Sequence, residues 1–429
     1  MRRLPLLCLL AALGACSLPF GRPARPAPPA ALRVDFDSVS ATARLAWARP
    51  PEKGFLRYDV ERAGRRGFEV VASVSGHRDT AWVDEGLLAD RGYRYRVAAV
   101  FRARGDEEEL RLESPAVGGG IHRRVGGWSL SDGFLPTRIV LSEEGVLHVL
   151  GAGRGWVERF DRDGRPMGRW RYTDSPNACL ETATLDAASA AFDAGGYLYV
   201  VFNTYVEGGP PQPRWAKLGA DGARLWTRPL STVFARHITA DGDRLFVESV
   251  SHLQELGPDG ELVEHYSVPP LMVSSVRFHD GAFAALVEPL GYDTSGWQAP
   301  RLVVYGSVER SEVGRVTGRD PLSPEDRGAG LLNRPTDFTH DTATDRVFVV
   351  NGGHDRIEVF RGGEYLTRWG REGADPSAFR FRGEAMVLAD VTTGERVTRE
   401  VVAGGIARDR DGYIYVADTF NNRIQKFAP

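Results

Sequence analysis

The chain ends in the sequence GYIYVADTFNNRIQKFAP, residues 412–429. Apolar and polar residues alternate in two short runs within it, YIYVAD and RIQKF, so the segment predicts two paired β-strands. A two-stranded hairpin is only marginally stable by itself, and its outer strand leaves an edge on which other chains could pair. The hairpin must therefore belong to a larger sheet whose other strands come from elsewhere in the chain.

Residues 121–429 contain a weak internal repeat that supplies such strands. Each unit has an inner strand, an acidic turn with glycine, and a second and a third strand, and most units have a fourth. Six units align, and the repeat predicts a β-propeller with six blades, because radial repetition of small sheets leaves only short edges. The aligned inner strands carry the sequences PTRIV, AASAAF, ARHIT, SSVRF, PTDFT and AGGIA.

The last unit lacks a fourth strand of its own. The segment IHRRVGGWS at 121–129 precedes the first unit and looks like the fourth strand of the fifth unit, in EYLTRWGREG at 364–373. We therefore expect residues 121–129 to lie beside the C-terminal strand and to close the ring. An insertion at 371–400 is long enough for a hairpin of its own.

The last unit, GGIARDRDGYIYVADTFNNRIQKF at 404–427, resembles an NHL repeat almost position for position. In that pattern Asp418 ends the second strand and Arg423 opens the third, so that a carboxylate and a guanidinium meet across the turn. Asn351 and Arg356 form a softer version in the fifth unit. The resemblance implies a six-bladed NHL-like propeller over residues 118–429, with these pairs as turn locks.

Residues 31–117 alternate apolar and polar positions in short runs separated by turns, which predicts a small antiparallel sandwich. Trp47 occupies the place of a core tryptophan, and Leu87 precedes Tyr93 by six residues. This segment resembles a fibronectin type III domain, although an immunoglobulin-like sandwich of another type stays open. The expected fold class is all-β, a sandwich followed by a propeller.

The N-terminus predicts export. Arg2 and Arg3 precede an apolar run at 4–12 that is too short to span a bilayer, and LGAC follows at 13–16. This stretch resembles the lipobox of bacterial lipoproteins, which implies a signal peptide at 1–15, lipid on Cys16 and membrane anchoring through it. The alternative is an ordinary signal peptide that contains a cysteine. Residues 16–30 are rich in proline and predict a semi-rigid linker.

Localisation is expected at the outer membrane or cell surface, and which membrane face is used stays open. The formal net charge of −3 and arginines interleaved with acidic residues argue against a nucleic-acid partner.

The residue before the apolar pair on each inner strand should line the central channel. These residues are Arg138, Ser189, His237, Ser275, Asp337 and Gly405. Arg138, His237 and Asp337 form a candidate binding group, in which a histidine–aspartate pair could serve as a base and its orienter. The alternative is a structural ion pair with Arg138. The histidine spacings match no metal-binding motif, and neither a metal nor a cofactor is predicted.

Two insertions carry tyrosine, tryptophan, glycine and proline and predict a binding rim on the propeller face. The rim candidates are Arg154, Tyr205, Trp215, Tyr292 and Trp297. Tyrosine and tryptophan are enriched at contact sites, although each could instead cap its own loop.

The sequence thus favours a non-catalytic lipoprotein that binds a protein or carbohydrate partner. A metal-assisted lyase or lactone hydrolase in the channel and a structural part of an envelope or secretion assembly are the alternatives. Ligand identity and oligomeric state stay open.

Overall fold

The computed structural model describes most of the chain from residue 26 onward. The described residues are 26–37, 41–64, 66–88, 91–102, 109–122, 124–152, 154–174, 188–204, 212–231, 237–249, 252–267, 271–279, 282–289, 301–305, 312–317, 330–376, 378–389 and 396–429. Contacts divide the chain into two compact units. Among the described residues, those within 26–34, 45–82 and 93–118 belong to the first unit, and those within 35–44, 83–92 and 119–429 belong to the second.

The N-terminal strands form two sheets. Strands β1, β2 and β5 make one sheet, and β4, β3, β6 and β7 make the other, in which β8 also pairs with β6. The strands are β1 (Ala30–Asp37), β2 (Thr42–Ala48), β3 (Phe55–Gly64), β4 (Gly67–Val74), β5 (Ala81–Asp84), β6 (Tyr93–Arg102), β7 (Glu109–Glu113) and β8 (Val117–Gly119).

Alternate residues of β2, β3 and β6 supply the core of the first unit. Trp47, Tyr58, Tyr95 and Val97 are buried, and the Trp47 and Tyr58 rings meet edge to face with their centroids 5.2 Å apart. Alternation along a strand therefore places one face in a core, as the sequence pattern predicts. The fibronectin III resemblance and the predicted domain bounds stay predictions.

In the second unit, the described residues form six four-stranded antiparallel sheets. Sheets 1 to 3 run β10 (Pro136–Leu141), β11 (Leu147–Gly151), β12 (Trp156–Phe160), β13 (Pro166–Arg171); β14 (Ser189–Phe192), β15 (Leu198–Thr204), β16 (Gln212–Leu218), β17 (Arg224–Pro229); and β18 (His237–Asp241), β19 (Arg244–Ser249), β20 (His252–Leu256), β21 (Leu262–Ser267).

Sheets 4 and 5 run β22 (Leu271–His279), β23 (Ala282–Pro289), β24 (Arg301–Tyr305), β25 (Glu312–Thr317); and β26 (Pro335–Asp341), β27 (Arg346–Asn351), β28 (Arg356–Arg361), β29 (Glu364–Trp369). Sheet 6 contains β32 (Gly405–Arg408), β33 (Ile414–Asp418), β34 (Arg423–Phe427) and, as its outer strand, β9 (Arg124–Ser129). Two single-turn 3₁₀ helices, Gly352–His354 and Thr419–Asn421, follow β27 and β33.

The first strands of the six sheets contact one another in cyclic order, from β10 through β14, β18, β22 and β26 to β32 and back to β10. Small four-stranded sheets arranged around a centre are the architecture of a β-propeller. The strand pairing expected at the C-terminus is present, since β9 lies antiparallel to β34 with Trp128 opposite Ile424. The hairpin expected in the 371–400 insertion is also present, as β30 (Arg382–Ala389) paired with β31 (Arg396–Val402). Among the described residues, no helix has the length and apolar character that crossing a bilayer requires.

A tryptophan on a glycine turn joins neighbouring sheets at three interfaces. In each case an indole from one sheet packs on the turn between the third and fourth strands of the next sheet, and that turn glycine has a positive φ. A side chain at the glycine would collide with the ring, so the absence of a Cβ lets the sheets approach. The pairs are Trp128 with Gly164, Trp170 with Gly222, and Trp215 with Gly260.

Gly222→Ala should destabilise the protein by about 2 kcal/mol more than Gly196→Ala, because overpacking adds to the cost of a positive φ. A Cβ at Gly222 (φ +83) would lie 2.1 Å from Trp170 Nε1, whereas a Cβ at Gly196 (φ +76) would meet nothing within 4 Å. Urea unfolding of both variants measures the difference. Equal losses in the two variants would show that the indole contact does not hold the sheets together.

Candidate functional site

Four of the six predicted channel residues meet at the centre of the propeller. Arg138 reaches Asp337 Oδ1 with its NH1 at 2.6 Å and His237 Nδ1 with its NH2 at 2.6 Å. Ser275 donates its hydroxyl to Asp337 Oδ1 at 2.8 Å, and all four side chains are buried. Each residue lies on the first strand of a different sheet, so the cyclic contact of those strands creates the cluster.

The other two channel positions serve the packing of inner strands. Ser189 accepts a hydrogen bond from the backbone N–H of Ile238 on the next inner strand at 3.2 Å. Gly405 lies so close to β10 that a Cβ would stand 2.6 Å from the carbonyl oxygen of Thr137 and 2.9 Å from the Cα of Arg138. The sixth sheet therefore contributes close backbone contact to the channel instead of a functional side chain.

Asp337 is fully buried and also contacts a second guanidinium, which the alignment of the six repeat units did not include. Arg277 NH2 lies 3.2 Å from both carboxylate oxygens, and the N–H of Ile406 donates to Oδ2 at 3.0 Å. Burial opposes ionisation of this carboxyl, but the charges of Arg138 and Arg277 outweigh it and hold the pKa of Asp337 below its ordinary value. Arg277 follows Ser275 by two residues, so strand alternation could have placed it on the same face.

The histidine–aspartate base and orienter proposed from the sequence is not formed. His237 contacts the guanidinium of Arg138, which in turn occupies Asp337, so an arginine stands between the two groups. Because a guanidinium only donates, the contact requires the Nδ1 of His237 to accept, so this nitrogen is not available as a donor to Asp337. The cluster thus has the form of the structural alternative, a channel-lining ion pair.

The cavity beside this cluster measures about 10 Å³ and is lined by Arg138, Ser189, His237 and Ser275. That volume accommodates roughly one water molecule. Among the described residues, no three or more His, Cys, Asp or Glu side chains are grouped so that they could hold a metal ion. As the described residues line it, the cavity at this level of the channel is therefore a solvent-sized space.

Of the predicted rim residues, Arg154 and Trp215 belong to the described residues. Arg154 donates to the carbonyl oxygen of Gly133 at 2.6 Å and lies over the ring of Trp156, with Cζ 5.6 Å from the centroid. The placement of Trp215 in a rim loop is wrong. It belongs to strand β16 and is 1% exposed, with its ring against Trp226 at 4.6 Å and over Gly260.

Tyr205, Tyr292 and Trp297 lie outside the described residues, as does the predicted lipidation site Cys16. Their roles stay predictions.

The turn lock predicted for the last unit is confirmed, with Arg423 Nε 2.7 Å from Asp418 Oδ2. Arg423 also donates to the carbonyl oxygens of Ala374, Asp375 and Ala378, and so ties the preceding loop to the turn. These partners give both residues a structural role.

The lock in the fifth unit works through a third residue. Asn351 stands opposite Arg356 in the strand register, but both side chains bond to the buried Glu358, at 3.4 and 2.5 Å. The direct contact expected between Asn351 and Arg356 is therefore wrong, and Glu358 links the two side chains instead.

No family model and no curated protein matches the chain. Among solved structures, a Bacteroides thetaiotaomicron protein of unknown function is 11% identical, with 92% of this chain and 98% of that chain covered at a TM-score of 0.44. A streptogramin B lyase is 15% identical over 70% and 96% of the two chains at 0.41, and the Neurospora crassa Pan2 WD40 domain is 11% identical over 72% and 95% at 0.42. The propeller arrangement rests on the chain's own sheets and contacts.

Asp337→Asn should cost about 3–5 kcal/mol in the free energy of unfolding, because two guanidiniums lose their buried counter-charge. Since the pKa of Asp337 is lower in the folded protein than its ordinary value, the carboxylate stabilises the fold at neutral pH. That contribution disappears as the pH falls through and below the ordinary value. The variant should therefore lose less stability than the parent on acidification, as measured by urea unfolding across pH.

The matched control is Asp345→Asn, at a side chain that is 66% exposed, which should change stability by no more than about 0.5 kcal/mol. If Asp337→Asn changed the free energy of unfolding by as little as Asp345→Asn, the buried ion cluster would not stabilise the packing of the inner strands.

Proposed function

We propose that the chain is an exported lipoprotein whose fibronectin III-like domain precedes a six-bladed, NHL-like propeller closed by β9. The propeller binds a protein or carbohydrate partner without catalysing a reaction on it. In this proposal Cys16 carries the lipid that anchors the protein to the outer membrane or cell surface, and the proline-rich residues 16–30 act as its spacer.

The single observation that carries the non-catalytic part is the ion cluster in the channel. Asp337 is occupied by Arg138 and Arg277, and His237 by Arg138, so the charged groups that could perform acid–base chemistry bind one another. The adjoining cavity, as the described residues line it, measures about 10 Å³, which supports a channel that holds solvent rather than a substrate beside these groups. Binding therefore has to use the outer surface of the sheets and their loops.

The proposed architecture is supported by the cyclic contacts of the inner strands and by the pairing of β9 with β34. With β9 included, each of the six sheets has four strands. The proposed anchor has its support in the sequence alone, in the basic and apolar residues that lead to Cys16.

Cys16→Ser should abolish fatty-acid labelling of the protein in a bacterial host and move it from the membrane fraction to the soluble fraction. Cys8→Ser is the matched control, because Cys8 lies within the predicted signal peptide and should leave both labelling and fractionation unchanged. If the Cys16 variant still incorporates fatty acid, the lipobox interpretation is wrong.

His237→Ala separates the binding role from the metal-assisted alternative. We expect the full chain, purified without chelator, to hold no stoichiometric divalent metal that depends on His237, because that ring nitrogen is engaged by Arg138. Elemental analysis of the parent and the variant is the measurement. A stoichiometric metal that the variant loses would contradict the non-catalytic proposal and favour a lyase or lactone hydrolase.

A further inference from the structure

A cavity of about 380 Å³ lies between the end of β9 and the outer strands of sheet 1. We call it the seam cavity, lined by Trp128, Leu130, Glu158, Phe160 and Arg169. Its two walls come from the first and last sheets of the propeller. It is far larger than the channel cavity, and its volume falls within the range of small-ligand pockets.

The floor of the seam cavity is aromatic and apolar. The Trp128 and Phe160 rings lie 5.6 Å apart, and Leu130 is buried beside them. Among the described residues, the buried Nε1 of Trp128 has no hydrogen-bond partner. A ligand in the cavity therefore meets an apolar surface to which Trp128, Leu130 and Phe160 contribute.

One wall carries a donor and an acceptor side by side. Arg169 NH2 lies 2.9 Å from Glu158 Oε1, and the Ser131 hydroxyl donates to the same oxygen at 2.5 Å. The Glu158 side chain is 6% exposed, whereas that of Arg169 is 54% exposed. This places a fixed carboxylate next to a guanidinium that has donors to spare for a ligand.

Positive charge accumulates along β12, the strand that contributes Glu158 and Phe160 to the seam cavity. Trp156, Glu158 and Phe160 alternate on one face of this strand, over about 13 Å at the usual rise per residue. The guanidinium carbons of Arg154, Arg169 and Arg171 all lie 5.4 to 5.9 Å from the centroid of the Trp156 ring.

The nearby carboxylates do not neutralise these arginines. Glu158 faces Arg169, while Asp174 lies 3.9 Å from Arg171 and closer, at 2.5 Å, to Arg224. Together with Arg154, the groups named here are the four guanidiniums of Arg154, Arg169, Arg171 and Arg224 and the two carboxylates of Glu158 and Asp174. A surplus of two positive charges beside a half-open cavity favours an anionic ligand.

We propose that the seam cavity and the arginines around Trp156 form a binding site for an acidic saccharide, a pyranose chain that bears carboxylates. This proposal rests on the binding role proposed above and names its ligand. The C–H face of a pyranose packs on the half-buried Trp128 ring, and the saccharide carboxylate meets the arginines.

The adjacent carboxylate and guanidinium favour a saccharide over an acidic peptide. A hydroxyl group both donates and accepts, so neighbouring ring hydroxyls can donate to Glu158 and accept from Arg169 at once. The side-chain carboxylates of an acidic peptide only accept, so only its backbone N–H groups could donate to Glu158, whereas every hydroxyl of a saccharide can.

Isothermal titration calorimetry of the full mature chain with trigalacturonate and with its methyl ester tests the site. The acid should bind, and the ester, which keeps the rings and their hydroxyls but lacks the charges, should bind about tenfold more weakly or worse. Equal binding of acid and ester would overturn the proposal. Tighter binding of hexaglutamate than of trigalacturonate would overturn it too, in favour of an acidic peptide.

Arg169→Gln and Arg171→Gln should each weaken trigalacturonate binding about tenfold. Both side chains are more than half exposed, so the fold should survive the substitutions. Arg410→Gln is the matched control, because that arginine is 69% exposed and pairs with Glu143 instead. Unchanged affinity in both site variants would rule the site out.

The same titration separates this site from the proposed function. If trigalacturonate does not bind at all, the saccharide site is refuted. The lipid-labelling test of Cys16 and the metal test of His237 still decide the proposed function independently. Shortening of trigalacturonate during the titration would uphold the site and contradict the non-catalytic role.

Discussion

The pairing of β9 with β34 is the contact on which most of the second unit depends. It joins residues as far apart in sequence as Arg124 and Gln425, whose side chains bond at 2.9 Å across 301 positions. Without β9, sheet 6 would end in an unpaired edge and Gly164 would lose the indole of Trp128. One wall of the seam cavity would also be missing. The last blade, its contact with the first blade and the proposed ligand site therefore all depend on the pairing of β9 with β34.

The buried ion cluster in the channel has a different structural role. A buried ion pair adds little net stability, because desolvation offsets most of the attraction, but it is costly to break. Arg138, Ser275 and Asp337 can meet only if three inner strands present them at the same level of the channel. A slip of one residue would turn a side chain to the opposite face of its sheet. The cluster therefore fixes the relative positions of the inner strands more than it strengthens them.

The sequence indicates periodic features well and contacts around the ring poorly. Strand alternation and the repeat were enough to place Arg138, His237 and Asp337 at one level of the channel. These patterns could not show that His237 contacts Arg138. Aligning the repeat units gives the height of a residue along the channel but not its distance from residues of the other blades. Trp215 was misplaced because it stands where the predicted insertion meets the predicted third strand, and an aromatic residue there looks the same in a loop as in a strand. Its partner Gly260 carries no local signal of the contact. The seam cavity was missed because its walls lie at opposite ends of the repeat.

The position of β9 in the chain has a mechanical consequence. Tension that reaches the propeller through the polypeptide before β9 first meets Ile121 and His122, which are buried, with the His122 ring stacked on Trp369. It then arrives at Arg124, the first residue of β9. Five residue pairs in register with β34, and the indole of Trp128 on Gly164, carry that load before any inner strand does. Traction from the N-terminal side would therefore peel away the outermost strand of sheet 6 first. The five other four-stranded sheets would stay intact and a fresh strand edge would be uncovered.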